Sequence, residues 1–228
     1  MRNRWVIVAA GTMLHLCLGT VYAWSFFQNP ITTAMGWSHS QTAWAFSLSI
    51  LFLGCSAAWG GIMLPHIGPK RLAVIGAAMY AAGYIISGVA LMNRSIVLLY
   101  LGFGVISGIG NGLCYVTPVA TVGKWFPDKK GFATGMVVMG FGLGALVMSK
   151  GIAPTLMNIT GHDLSKTFIF TGVILGAALL FASCMKNPAA GYSPPTSDPV
   201  AGNEDINLMP VACILSRTWL LMWLVLFI

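Results

Sequence analysis

Six long apolar runs divide the chain, at roughly 5–27, 42–64, 70–92, 96–121, 131–155 and 167–185, with short polar punctuation between them. A helix crossing the hydrocarbon core of a bilayer needs about 20 mostly apolar residues. Each run therefore predicts one spanning helix. A seventh opens near Thr218 and reaches Ile228. At about 1.5 Å per residue it covers about half a core, so this span is expected to be incomplete and the sequence to be a fragment of a longer protein. Residues 186–217 break the pattern: Pro, Gly and Ser are frequent, and three of the five acidic residues (Asp198, Glu204, Asp205) fall there. That composition predicts a flexible polar linker. The expected organisation is a six-helix transmembrane bundle over 1–185, a cytoplasmic linker between halves over 186–217, and the truncated start of helix seven over 218–228.

The most informative punctuation is KWFPDKKGFATGMVVMGFGLGA, residues 124–145. Its basic opening predicts a tight water-facing turn, and its glycine-rich remainder predicts a helix able to pack closely. The joint is expected to organise the fold and to leave substrate chemistry to helices one and four.

Composition sharpens this picture. Of 228 residues 57% are hydrophobic and 7% charged, whereas a soluble domain carries roughly 25% charged residues. The chain is therefore an integral membrane protein. Its net charge of +7 is spread singly between apolar runs, so it points to membrane topology and anionic lipid and not to nucleic acid. Arg2, Arg4, Lys70, Arg71, Lys124, Lys129, Lys130, Lys186 and Arg217 share one side; Arg94, Lys166 and Lys150 lie toward the other. Basic residues accumulate in short cytoplasmic loops, so the N-terminus is expected in the cytoplasm of a multi-pass protein of the cell (inner or plasma) membrane. The opening apolar run continues to Phe27 with more spans behind it, which favours a first helix over a cleaved signal. The five cysteines form no CxxC pair and have no His at metal spacing. They read as small hydrophobes, and no metal or cofactor is expected.

Glycines recur four apart in the fourth run (Gly104, Gly108, Gly112) and the fifth (Gly131 with Gly135, Gly140 with Gly144). Small residues at this spacing let helices approach closely in lipid. GIGNG and GFGLG could also be read as phosphate loops, but both lie inside apolar spans and neither carries Lys-Ser/Thr. Polar stripes suggest where a substrate would sit. Ser107, Asn111 and Tyr115 are spaced by four; His15, Gly19, Tyr22 and Phe26 fall on one face of the first span, and Tyr80, Tyr84 and Ser87 on one face of the third. Such faces point at other helices or a wet cavity, never at lipid. His15 is the ionisable group near the middle of a span, and proton binding is one of its two readings; donation to a backbone carbonyl is the other. Every acid lies outside the spans. No nucleophile–base pair or paired-carboxylate centre is present, so an enzyme is not expected.

These residues carry a resemblance. The chain resembles the major facilitator superfamily and, within it, the oxalate:formate antiporter family. GTVYAWSFF (19–27) is similar to that family's first-helix motif, and GIMLPHIGPKR (61–71) resembles the superfamily loop between helices two and three. The 124–145 joint and the pair KNPAAGY and RTWLLMW fit as well. One departure is Pro65, which stands where that loop usually carries an acid. The resemblance implies an all-α membrane fold, here the six-helix N-terminal half of twelve helices in two halves, each an inverted pair of three-helix repeats. It implies a gating loop carrying Gly61, Gly68, Lys70 and Arg71. It also implies a secondary transporter of small organic anions, carboxylates such as oxalate and formate, working by alternating-access exchange. The substrate contacts of this half are expected from Tyr22, Trp24, Asn111, Tyr115, Ser107 and His15, with cations from a C-terminal half beyond Ile228. A non-transporting sensor or scaffold that kept the fold is the alternative.

Overall fold

The computed structural model describes residues 4–188, and these are all-helical. The expected linker beyond Pro188, the start of helix seven, Arg2 and Arg217 lie outside the described residues. Six helices follow the six apolar runs: α1 Arg4–Met35, α2 His39–Ile67, α3 Pro69–Met92, α4 Ile96–Trp125, α5 Lys130–Ile159 and α6 Leu164–Ala182. The spans thus fall where hydropathy puts them. Four of them (α1, α2, α4 and α5) run several residues longer than hydropathy alone suggests. α1 continues through the more polar QNPITTAM to Gly36, whose φ of 70° ends it, and α5 continues to Ile159.

The turns follow local chemistry. Ser38 and Gln41 form a reciprocal capping box at the start of α2, at 3.1 and 2.9 Å, satisfying two otherwise orphaned backbone donors. Gly68, at φ 84°, ends α2, and Pro69 starts α3 at the first helical position, where its missing N–H costs nothing. Asp163 caps α6 by accepting from the Lys166 backbone N–H at 3.1 Å.

The glycines decide how the helices meet. α4 lies between α2 and α3 and touches both through glycine. On one side, a Cβ added at Gly104 would come within 2.9 Å of Leu48 Cβ, one at Gly108 within 2.7 Å of the Ser49 carbonyl, and one at Gly112 would overlap Leu53 O and Ser56 Oγ. On the other, Gly76 and Gly83 of α3 oppose Gly110 and Gly102, with a Cβ at Gly76 only 2.7 Å from the Gly110 carbonyl. α1 meets α5 in the same way, Gly140 against the Thr12 carbonyl and Gly144 against Leu16 O and Gly19. Lipid tails supply no hydrophobic drive between helices, so this backbone-to-backbone approach provides the contact energy. Gly131 and Gly135 do not take part: a Cβ at either meets nothing within 4 Å among the described residues. The reason is angular. Helical repeats of four advance about 40° per step, so the 131/135 pair and the 140/144 pair, five residues further on, cannot share a face.

Three stretches inside the spans depart from regular α-helix into 3₁₀ or π geometry. α1 tightens into a 3₁₀ turn over Gly19–Ala23, and α4 and α5 open into π-helical stretches over Tyr100–Ser107 and Met148–Ile152. At the first, Thr20 and Val21 are β-branched and Gly19 lies against the Phe141 carbonyl of α5. A mid-helix 3₁₀ turn changes which carbonyls are bonded within the helix, and the bundle supplies partners. The Leu18 carbonyl accepts from Tyr80 Oη at 3.0 Å and from Asn111 Nδ2 at 3.2 Å, while Thr20 Oγ1 donates to Cys17 O at 2.7 Å.

Candidate functional site

Around this break, rings from four helices meet. Phe141 of α5 is the centre: its centroid lies 5.1 Å from Tyr115 of α4, 5.4 Å from Tyr22 and 5.7 Å from His15 of α1. Tyr22 also touches Phe46 of α2, at 6.2 Å. Most pairs are edge-to-face or tilted, the arrangement in which the electropositive edge of one ring meets the face of another. The exception is His15 and Tyr115, stacked at 4.9 Å with planes 11° apart. The cluster is not sealed. Tyr22 is 45% exposed, and Phe46, Tyr115 and Phe141 are half-buried. The result is a shallow aromatic cradle with phenol groups at its edge and, among the described residues, no charged side chain in it.

Its floor is the seam between α1 and α4, closed by two reciprocal bonds. His15 Nε2 donates to the Tyr115 carbonyl at 3.0 Å, and Asn111 Nδ2 donates back to the Leu18 carbonyl. Both side chains are fully buried. Because a carbonyl only accepts, the first bond fixes the proton of the neutral imidazole on Nε2. His15 Nδ1 and Asn111 Oδ1 are left buried with no hydrogen-bond partner.

The residues expected to form one substrate face divide here. Tyr22, Tyr115 and His15 come together around Phe141. Trp24 does not join them: it is buried against Phe103 at 4.4 Å and Phe168 at 6.5 Å, on the α4 and α6 side. Two positions apart on a helix do not face the same way, so Tyr22 and Trp24 cannot both line the cradle. Ser107 is also displaced, buried against Gly83 of α3, and Asn111 is turned to the α1 backbone. A stripe spaced by four drifts about 80° over eight residues, and the π-helical stretch ending at Ser107 adds to the drift. Of the stripe, Tyr115 alone reaches the cradle. Tyr80, Tyr84 and Ser87 face inward, with Tyr80 Oη 2.9 Å from Thr20 Oγ1 and Ser87 bonded to the Gly83 carbonyl.

Phe141 and Phe46 are not legible from the sequence as site residues. Phe141 stands between two glycines in what reads as a packing helix, so the joint expected only to organise the fold also supplies the central ring. The one signal for it is a large aromatic isolated among glycines at the level of the α1 stripe.

The loop between α2 and α3 lies elsewhere. Gly68, Lys70 and Arg71, with Met185 to Asn187, line an open cleft of about 290 Å³; Gly61 packs on Val116 at ordinary distance. Pro65, in the place of the usual acid, is exposed within α2. The charged tie on this side is instead Arg4 with Asp128, both oxygens at 3.1 Å, and the Arg4 guanidinium lies 4.6 Å above the Phe126 ring. The tie fastens the start of α1 to the turn between α4 and α5. Among the described residues no group of three or more metal-ligating side chains occurs.

Comparison with known proteins gives a consistent picture. The family model described as Major Facilitator Superfamily matches residues 8–228. The oxalate:formate antiporter of Oxalobacter formigenes is 31% identical over 180 residues, which cover 78% of this chain and 41% of that protein. Apicoplast pyruvate carrier 1 of Toxoplasma gondii is 31% identical over 191 residues, 65% of this chain and 34% of the carrier. Monocarboxylate transporter 12 of Rattus norvegicus is 30% identical over 146 residues, 64% of this chain and 29% of the transporter. The chain spans less than half the length of these relatives.

Proposed function

The chain belongs to the Major Facilitator Superfamily, and from that premise we propose that it forms the first half of a secondary transporter that exchanges small carboxylates by alternating access. The observation that carries this reading is the open cradle of Tyr22, Phe46, Tyr115 and Phe141. Ring edges and phenol hydroxyls suit a small, flat anion, because both present positive partial charge without the desolvation cost of a buried ion. Relatives named for oxalate, formate, pyruvate and monocarboxylates support the same substrate class.

On this reading α1 and α4 present Tyr22 and Tyr115 to the anion, and α5 holds Phe141 behind it. The counter-charge comes from basic residues of a second six-helix half facing this one across the substrate. Binding is weak enough to release on either side, because aromatic and single hydrogen-bond contacts each contribute about 1 kcal/mol. The partners are the lipid bilayer, the substrate anion and that second half. The Lys70 and Arg71 loop belongs to the cytoplasmic gate, with Arg4–Asp128 supplying the local charge pairing that Pro65 cannot.

The test is transport by the complete gene product in proteoliposomes preloaded with oxalate, formate or pyruvate. Saturable uptake of labelled carboxylate that depends on internal carboxylate is the expected result. Movement of a sugar or a metal cation with no carboxylate exchange would show the reading to be wrong.

A further inference from the structure

Tyr80 of α3 pairs its ring with Tyr84, at 5.2 Å, and not with the cradle. Its hydroxyl nevertheless reaches the stretch of α1 that carries Tyr22. The side chain is fully buried, and its backbone is seated on Gly110 of α4, where an added Cβ would overlap it. From that fixed base the phenol donates to the Leu18 carbonyl at 3.0 Å and lies 2.9 Å from Thr20 Oγ1. Leu18 immediately precedes the 3₁₀ turn Gly19–Ala23, and Tyr22 lies inside that turn.

In a regular α-helix the Leu18 carbonyl accepts the backbone N–H of Tyr22, four residues on. A 3₁₀ turn closes three residues apart instead, as the Trp24 N–H does on the Val21 carbonyl. The Tyr80 hydroxyl and the Asn111 amide, one from α3 and one from α4, take the oxygen that Tyr22 would claim in a regular helix. Which pairing holds decides where Tyr22 points. A 3₁₀ helix advances about 120° per residue and an α-helix about 100°. Over the four steps from Leu18 to Tyr22 the difference is about 80° in direction and about 2 Å in height. A swing of that size carries the Tyr22 ring away from Phe46 and Phe141, whose centroids lie 6.2 and 5.4 Å from it.

We propose that Tyr80 is a positioning residue for the substrate: its hydroxyl, with the Asn111 amide, holds the break in α1 and so aims Tyr22 into the cradle. The proposal rests on the carboxylate reading of the cradle and goes beyond it by giving a role to a residue that lies outside. The remaining contacts of the break serve the same end. Gly19 is pressed against the Phe141 carbonyl of α5, and Thr20 Oγ1 donates back to Cys17 O. Three helices thus fix the turn from different sides. Tyr84 offers a comparison on the same face of α3: its hydroxyl is buried 3.5 Å from that of Tyr80, and the Leu18 carbonyl keeps both of its donors without it.

The experiment is a double-mutant cycle on the complete protein in proteoliposomes, read as the KM for exchange of labelled oxalate, formate or pyruvate. Tyr80→Phe keeps the ring and removes the donor; KM is expected to rise about three- to tenfold, the effect of one net hydrogen bond. Tyr22→Ala should raise KM by itself. In that background Tyr80→Phe should add less than about twofold, because nothing is left to position. Tyr84→Phe controls for the loss of a buried hydroxyl and should leave KM within about twofold of the parent's. Where Tyr80→Phe reduces the yield of folded protein, Asn111→Leu, which removes the other donor to Leu18, goes through the same cycle with the same expectation. An equal rise in KM with and without the Tyr22 ring overturns the proposal, since a merely structural effect does not depend on that side chain. No rise at all, or an equal rise from Tyr84→Phe, also overturns it; each of these three results leaves the carboxylate reading standing. Tyr22→Ala with an unchanged KM overturns the cradle as the binding site and the proposal with it. Absence of exchange of all three anions by the parent overturns the carboxylate reading on which both rest.

Discussion

Phe141 and Trp24 are both large aromatics near the middle of the bundle, and they serve different ends. Phe141 is half-buried with its ring against three others of the cradle, whereas Trp24 is 3% exposed and wedged among rings of α4 and α6. Phe141→Ala is therefore expected to raise the transport KM by roughly tenfold, about 1.4 kcal/mol, with little change in thermal stability. Trp24→Ala should do the reverse. Removing a buried tryptophan costs about 3–5 kcal/mol, so the melting temperature in detergent falls while the KM of surviving protein stays within about twofold. Equal KM effects from both would show that the cradle is not where the anion binds.

The aromatic cradle is partly legible at the scale of single residues. Tyr22, Tyr115 and His15 can be picked out because polar groups inside an apolar run need a reason to be there. Trp24, next but one to Tyr22 in YAWS, lies apart from the cradle because neighbours in sequence need not be neighbours in space. Asn111 and Ser107 lie apart from it because a stripe spaced by four winds around its helix. Phe141 is invisible because an apolar ring in an apolar helix carries no signal until its neighbours are known.

At the scale of elements, glycine position matters more than glycine count. Gly144→Leu places a branched side chain into the Leu16 carbonyl and Gly19 backbone of α1 and should prevent stable assembly of α1 on α5. Gly135→Leu meets open space among the described residues and should change the stability of the bundle by no more than about 0.5 kcal/mol, as surface substitutions do. Fluorescence-detected gel filtration of the two variants separates the outcomes, and equal loss in both would mean that a face of α5 other than the α1 contact sets assembly. Helix number is clear from hydropathy because the bilayer thickness sets a minimum span length. The faces in contact are not, since every side of such a helix is apolar and the angular phase shifts at the 3₁₀ turn and the π-helical stretches.

The cap of α6 adds a charge to the same kind of local control. The Lys166 backbone N–H and its nearby ammonium hold the Asp163 carboxyl below the usual carboxylate range. A carboxylate whose pKa is depressed on folding stabilises the fold above its unfolded pKa, and the contribution is lost as pH falls through the folded value. Asp163→Ala should thus lower stability at neutral pH by about 0.5–1 kcal/mol, at the low end because the pair is exposed. The difference from the parent should vanish in acid. Thermal shift across the acid range checks this, and a difference independent of pH would point to a cause other than the charge.

For the whole molecule, the arrangement of cations predicts orientation. Lys124, Lys129 and Lys130 lie at one end of the bundle, with Lys70, Arg71 and Lys186, while Arg94 and Lys166 mark the other. With the first group cytoplasmic, a cysteine placed at Gly161, an exposed turn glycine, should react with a membrane-impermeant maleimide on intact cells. One placed at Lys129 should react only after permeabilisation; the opposite labelling pattern would reverse the topology. Burial varies across the bundle in a related way: in the apolar 18-residue stretch of each helix, 61% is buried in α1, against 22% in α2 and 28% in α5. The two helices with the most outward surface therefore flank the cradle, Phe46 and Phe141 being their contributions to it.

The glycine contacts of α4 have a mechanical consequence. A helix locked on one side by Gly104, Gly108 and Gly112, and on the other by the opposed glycines of α3, cannot slide or roll without driving backbone into backbone. α2, α3 and α4 then have few independent degrees of freedom and move as a single slab. α1 differs, because its 3₁₀ turn lies at the cradle, whereas the π-helical stretch of α4 is held by glycine contacts on both sides. Displacement of Tyr22 would therefore be taken up by flexing of α1 against a stiff backing, so that the compliance of the described bundle is concentrated at the cradle.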